Sequence, residues 1–254
     1  MPHYTPSQAA AQQQASQAAT QIAKAGVVSQ HVASILSQND RTVACAQRKP
    51  GLEDHRMSCF IIDASGSMKD CRDAVIQEQQ KTITTLRNSS KCRRNALFIG
   101  QWLFSDTSTK LNPYTPLSTG GGDGVVLLDQ SRYNPNGGTA LYKTVFQVLQ
   151  EIAANIAYSL SKAFSTTFTI AVVTDGDDTE GGADPNDIKA IVQELKTNGY
   201  LVSSIVIGIE NPRLSRSKIE EIRDRLGFDT ATFAGQSDSE IRRAFDAASQ
   251  SALV

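Results

Sequence analysis

Four short, mostly apolar runs are spaced along this chain, each parted from the next by a stretch that reads as helix. Ser58–Ile62, Ala96–Phe104, Phe168–Val173 and Leu201–Ile207 have the pattern of strands buried on both faces. Helical stretches fall at about Asp70–Arg87, Thr139–Lys162, Pro185–Asn198, Arg216–Leu226 and Ser239–Ser251. Pro185 near a first turn and Gly199 just past an end bracket the third of them. Strands alternating with helices of this length imply right-handed crossovers. The predicted fold is therefore α/β: a Rossmann-like, doubly wound, mostly parallel central sheet with helices on both faces. Thr107–Leu117, polar and interrupted by Pro113, is expected as one antiparallel edge strand. Ala231–Phe233 adds a short strand near the end.

Composition narrows the function classes. Hydrophobic residues make up 40% of 254, and 17 are glycine, enough for one sizeable core. Twenty-five Lys+Arg against 26 Asp+Glu leave a net charge of −1. The basic residues are scattered apart from Lys91-Cys92-Arg93-Arg94, so binding to nucleic acid by counterion release is not expected. No stretch approaches the roughly 18 apolar residues of a membrane span, and no leader pattern opens the chain. A cytoplasmic protein with no membrane partner is the expectation. Cys45, Cys59, Cys71 and Cys92 lack C-x-x-C spacing and neighbouring histidines. They read as reduced thiols, with Cys59 a buried small hydrophobe and Cys92 in a solvated loop beside Arg93 and Arg94.

Two regions follow from these patterns: a Gln/Ala-rich N-terminal helical extension over residues 1–50, and an α/β domain over residues 56–254. The extension reads as one or two weakly amphipathic helices around Gly26. A solvated appendage, a docking helix and packing on the domain all remain open for it. The aliphatic stripe Val28, Val32, Ile35 and Leu36 favours packing.

Ligands bind parallel sheets at the carboxyl ends of their strands, and three polar clusters fall there. Asp63-Ala64-Ser65-Gly66-Ser67 follows the first strand, Asn136-Gly137-Gly138-Thr139 precedes the long central helix, and Thr174-Asp175-Gly176-Asp177-Asp178 follows the Phe168–Val173 run. Singly, such residues are ordinary N-caps and turns. Together, two carboxylates and three hydroxyls make a hard-oxygen site suited to Mg²⁺, or to Mn²⁺ or Ca²⁺, rather than zinc. Gly66 and Gly138 are expected to give the backbone room to bend towards the ion. The Gly120–Gly124 run reads as a flexible loop and lacks the lysine of a phosphate-binding loop.

Asp63-Ala64-Ser65-Gly66-Ser67-Met68, Gly137-Gly138-Thr139-Ala140-Leu141-Tyr142 and Thr174-Asp175-Gly176 resemble the metal-ion-dependent adhesion site of von Willebrand factor type A domains. Trp102–Asp106 and Val206–Ile209 resemble that family's second and penultimate strands. The resemblance runs from about Arg56 to the C-terminus and omits the extension and the Ser118–Asn134 loop. It implies direct metal contacts from Ser65, Ser67 and Thr139, with Asp63 and Asp175 as anchors acting directly or through water. It also implies a non-enzymatic adaptor that takes an Asp or Glu from a protein partner onto the ion. An AAA+ ATPase of the MoxR type is one such partner.

The alternative is a metal-dependent phosphoester hydrolase on the same fold. Against it, Ser65 stands where a second Asp would follow a nucleophilic Asp63. No G-x-S-x-G elbow surrounds Ser65, and Met68 replaces the Lys of S-x-x-K. Asp175–Glu180 has the look of a calcium loop, but Thr179 and the missing sixth-position glycine break its spacing. His3, His31 and His55 lie outside the motif loops, and His55 reads as a surface residue.

Overall fold

The computed structural model describes residues 6–38, 54–89, 92, 96–119, 121–176, 178–210, 214–235 and 237–252. Among these, the strands are β1 (Asp54–Asp63), β2 (Ala96–Phe104), β3 (Ser108–Pro116), β4 (Ser165–Thr174), β5 (Leu201–Ile209) and β6 (Thr230–Ala234). They form one sheet in the order β3-β2-β1-β4-β5-β6. Every pairing is parallel except that of β3, the antiparallel edge on β2. The order reverses between β1 and β4, so a crevice opens beyond the carboxyl ends of those two strands. Asp63 is the last residue of β1 and Thr174 the last of β4. Register therefore delivers two of the three polar clusters to one point.

Helices α1 (Pro6–Lys24), α2 (Gln30–Leu36), α3 (Arg72–Asn88), α4 (Leu141–Ser161), α5 (Pro185–Thr197), α6 (Arg216–Leu226) and α7 (Asp238–Ala252) cover the sheet. Alternation along β1 sorts its side chains between two cores. Met57, Cys59 and Ile61 join the core of α4, α5 and α6, while Phe60 and Ile62 join that of α3 and α7.

Helix α4 is buried around nearly its whole circumference, because α1 and α2 lie over its outer side. Ile22, Val27, Val28, Val32, Ile35 and Leu36 of the extension belong to the same core cluster as α4. Polar contacts fasten this layer at four points. Gln21 Nε2 donates to Ala157 O (3.0 Å), Gln150 Nε2 to Leu36 O (2.8 Å) and Asn198 Nδ2 to Val27 O (3.0 Å). Glu194 accepts from both the amide and the hydroxyl of Ser29, the N-cap of α2.

Two residues sit differently from the sequence expectation. His55 is buried, not at the surface; its ring lies 4.9 Å from that of Phe98 and 4.4 Å from that of Phe164. Those rings come from β2 and the α4–β4 turn, positions that local sequence does not bring near β1. Cys92 is also buried rather than solvated, its Sγ donating to Leu117 O (3.6 Å). Cys59 and Cys71 are buried as well, and burial pushes both thiols up, that of Cys71 to about 12. None of these three cysteines forms a disulfide. His3, Cys45, Lys91, Arg93, Arg94, Gly120 and Asp177 lie outside the described residues.

Within the glycine-rich segment, Asp123 is an anchor. It accepts two hydrogen bonds from Arg87 of α3 and one each from the amides of Ser118 and Val125. Among the described residues, no helix is long and apolar enough to cross a membrane.

Candidate metal centre

β1 ends at Asp63 because Ala64 and Ser65 leave the ladder, and a 3₁₀ turn over Gly66–Cys71 leads into α3. Asp63 lies beneath this turn with no exposed surface. Its Oδ1 accepts the Ser65 amide (2.7 Å), and its Oδ2 accepts the Thr174 hydroxyl from the neighbouring strand (2.6 Å). Ser65 Oγ lies 3.2 Å from Ser67 Oγ, and Ser67 Oγ donates to Asp175 Oδ1 (2.8 Å). Four of the five predicted ligands thus form one hydrogen-bonded chain. The fifth, Thr139, lines the same cleft of about 560 Å³ as Ser65, Ser67 and Asp175. Asp63 does not line it; it supports the floor from below.

Burial dominates the electrostatics of Asp63. It pushes the carboxyl up to about 6 against the hydrogen bonds from Thr174 and Ser65, with a further upward push from the charge of Asp175. A divalent cation beside the Asp63 carboxylate would reverse that balance. The spacing of the donors suits one. Adjacent oxygens of an octahedron with Mg–O distances of 2.0–2.1 Å lie about 2.9 Å apart, and the Ser65–Ser67 and Ser67–Asp175 separations of 3.2 and 2.8 Å bracket that edge. No group of three or more His, Cys, Asp or Glu side chains suited to a metal occurs among the described residues. Hydroxyls therefore make up most of this donor set, which selects a hard cation over a soft one.

Several residues that shape the site stand outside the five predicted ligands. Thr179 clamps Thr139 through two contacts: the Thr139 amide donates to Thr179 Oγ1, and the Thr179 amide donates to Thr139 O, both at 2.8 Å. Asp178 accepts from the amide of Tyr142 in the first turn of α4 (3.1 Å), where Ala140 supplies no side-chain cap. The stretch that resembled a broken calcium loop thus fastens the α4 terminus and the Thr139 loop. Asp106, just beyond β2, accepts from the Gly138 amide. Its place after a strand end is the signal that marks it.

Of the two glycines expected to matter, geometry crowds Gly138 but not Gly66, and it adds Gly137. Gly137 has φ +75°, and a Cβ there would lie 2.5 Å from Asp106 Oδ2. A Cβ on Gly138 would collide with Glu180 and Thr179. Gly66 meets nothing closer than Gly137 O at 3.4 Å, so its lack of a side chain is not what brings the serines together.

No protein-family model matches the sequence, and no curated protein does. Solved structures do match. One is a von Willebrand factor type A protein from Catenulispora acidiphila, with TM-score 0.50 and 18% identity over 78% of this chain and 43% of that one. This is the von Willebrand factor type A fold. The PilB minor pilin of Streptococcus sanguinis matches with TM-score 0.51 and 13% identity, over 80% of this chain and 62% of the pilin. The pilus adhesin SpaC of Lactobacillus rhamnosus GG, in an open conformation, matches with TM-score 0.51 and 14% identity, over 84% and 31%. This chain spans less than two thirds of each of these proteins.

Proposed function

We propose that this chain is a non-enzymatic, metal-dependent protein–protein interaction module. Ser65, Ser67, Thr139, Asp63 and Asp175 would hold a Mg²⁺-type ion, with Mn²⁺ or Ca²⁺ as substitutes, and a partner's Asp or Glu would complete its shell. The observation that carries this reading is the continuous Asp63–Ser65–Ser67–Asp175 network at the switch-point cleft. Asp63 fixes the turn from below, Ser65 and Ser67 present adjacent oxygens, and Thr179 holds the Thr139 segment at the cleft. A bound divalent ion supplies an electrophilic centre that two carboxylates neutralise only to zero, leaving it attractive to an anionic group. Lys218 lines the same cleft, with its Nζ 3.1 Å from Glu221 Oε2.

Within this class, buried thiols outside any disulfide support an intracellular adaptor. An AAA+ ATPase of the MoxR type is the partner class that the family resemblance adds.

Capture of partners by the immobilised full chain, with Mg²⁺ and with EDTA, tests the reading. Retention should require the metal and should fail for Asp63→Ala. Thr139→Ala should weaken partner capture more than Mg²⁺ affinity. Capture indifferent to EDTA would contradict the proposal. Mg²⁺-dependent hydrolysis of p-nitrophenyl phosphate, abolished by Asp63→Ala, would replace it with the hydrolase.

A further inference from the structure

Among the described residues, Tyr133 carries the largest side chain with almost no exposed surface, and its hydroxyl donates to Asp63 O at 2.6 Å. It belongs to the 118–134 segment, which lies outside the von Willebrand pattern. Directly after it, that segment zips onto the metal turn: the Asn136 amide donates to Ala64 O (2.8 Å), and the Gly66 amide to Gly137 O (3.0 Å). Arg72, the first residue of α3, holds the same segment from the other side. Its Nε donates to Tyr133 O (3.0 Å), and its Nη2 donates to Gln130 O.

The side chain lies in an apolar core cluster with Met68, Leu128 and Val75, a setting that phenylalanine would fill equally well. The hydroxyl is what differs, and a buried hydroxyl needs a partner. The partner it has is the backbone of the residue whose carboxylate orients Ser65.

We infer that Tyr133 is a positioning residue for the metal turn. Through Asp63 it sets the spacing of the Ser65 and Ser67 oxygens, and Arg72 fixes Tyr133 in turn. Groups behind metal ligands commonly change metal affinity by about 10–100-fold when removed. This inference rests on the metal-binding reading above.

The test is calorimetric titration of Mg²⁺ into the full chain, with thermal melts of the same samples. Tyr133→Phe should lower Mg²⁺ affinity about tenfold while the chain stays folded. Arg72→Ala, at the start of its helix, should lower affinity in the same direction and serves if Tyr133→Phe folds poorly. Tyr114→Phe removes a buried hydroxyl from the opposite core and should leave Mg²⁺ affinity unchanged. A purely structural Tyr133 would lower the melting temperature and leave affinity at the wild-type value in both Tyr133→Phe and Arg72→Ala, overturning the inference alone. A wild-type chain with no Mg²⁺ affinity would overturn both it and the metal-binding reading.

Discussion

Ile22→Ala tests whether the N-terminal extension belongs to the folding unit. Ile22 sits on α1 with no exposed surface, in the cluster that includes Ile152, Ile156 and Ala157 of α4. Truncation removes three carbons, at about 0.8 kcal/mol each for lost burial. The residual cavity adds to that, and substitutions of this type cost about 2–5 kcal/mol in total. For a chain of this size each kcal/mol lowers Tm by about 2–4 °C, so the variant should melt at least about 4 °C below wild type. Urea unfolding should show a lower midpoint at unchanged slope. Gln17→Ala, on the exposed side of the same helix, is the control and should stay within about 0.5 kcal/mol of wild type. If Ile22→Ala were as silent as Gln17→Ala, the helix would not be part of the cooperative unit, and the packing argument for α4 would fail.

Two further effects follow from the geometry. Burial raises the Asp123 carboxyl, but its hydrogen bonds from Arg87, Ser118 and Val125 outweigh that and hold it at about 2, below the usual 3.8. A carboxyl lowered on folding contributes its stability above the unfolded value and loses it as pH falls through the folded one. Acid unfolding followed from pH 5 to 2 should therefore be flatter in Asp123→Asn than in wild type by about 2 kcal/mol; parallel curves would contradict the assignment. Gly137→Ala combines a left-handed backbone with a clash against Asp106. It should lower both Tm and Mg²⁺ affinity, whereas Gly66→Ala should be mild in both.

The sheet was legible because its inner strands are short, mostly apolar runs that alternate with longer helical stretches. Asp63, Ser65 and Ser67 were legible because their motif directly follows such a run. The extension was harder to read: Gln and Ala favour helix without saying what a helix packs against. Leu141–Ser161 carries Thr144, Gln147, Gln150, Glu151 and Asn155 on one side, so the burial of that side as well is not readable from its pattern. Tyr133 was missed, and the roles of Asp178 and Thr179 were not read, because all three act from irregular loops, where no periodicity links a residue to its partner. His55 was misread for a related reason. Its cover comes from Phe98 and Phe164, and neither is adjacent to it in sequence.

Titration of Mg²⁺ into wild type and Asp63→Asn tests the central claim most directly. Asparagine keeps the shape of the buried group and an acceptor for the Ser65 amide; it removes the charge and turns the contact with the Thr174 hydroxyl from acceptor to donor. The account predicts one Mg²⁺ site in wild type, weakened at least about 100-fold in Asp63→Asn with the melt still cooperative. Equal affinities in the two proteins, or no Mg²⁺ binding by wild type, would contradict it.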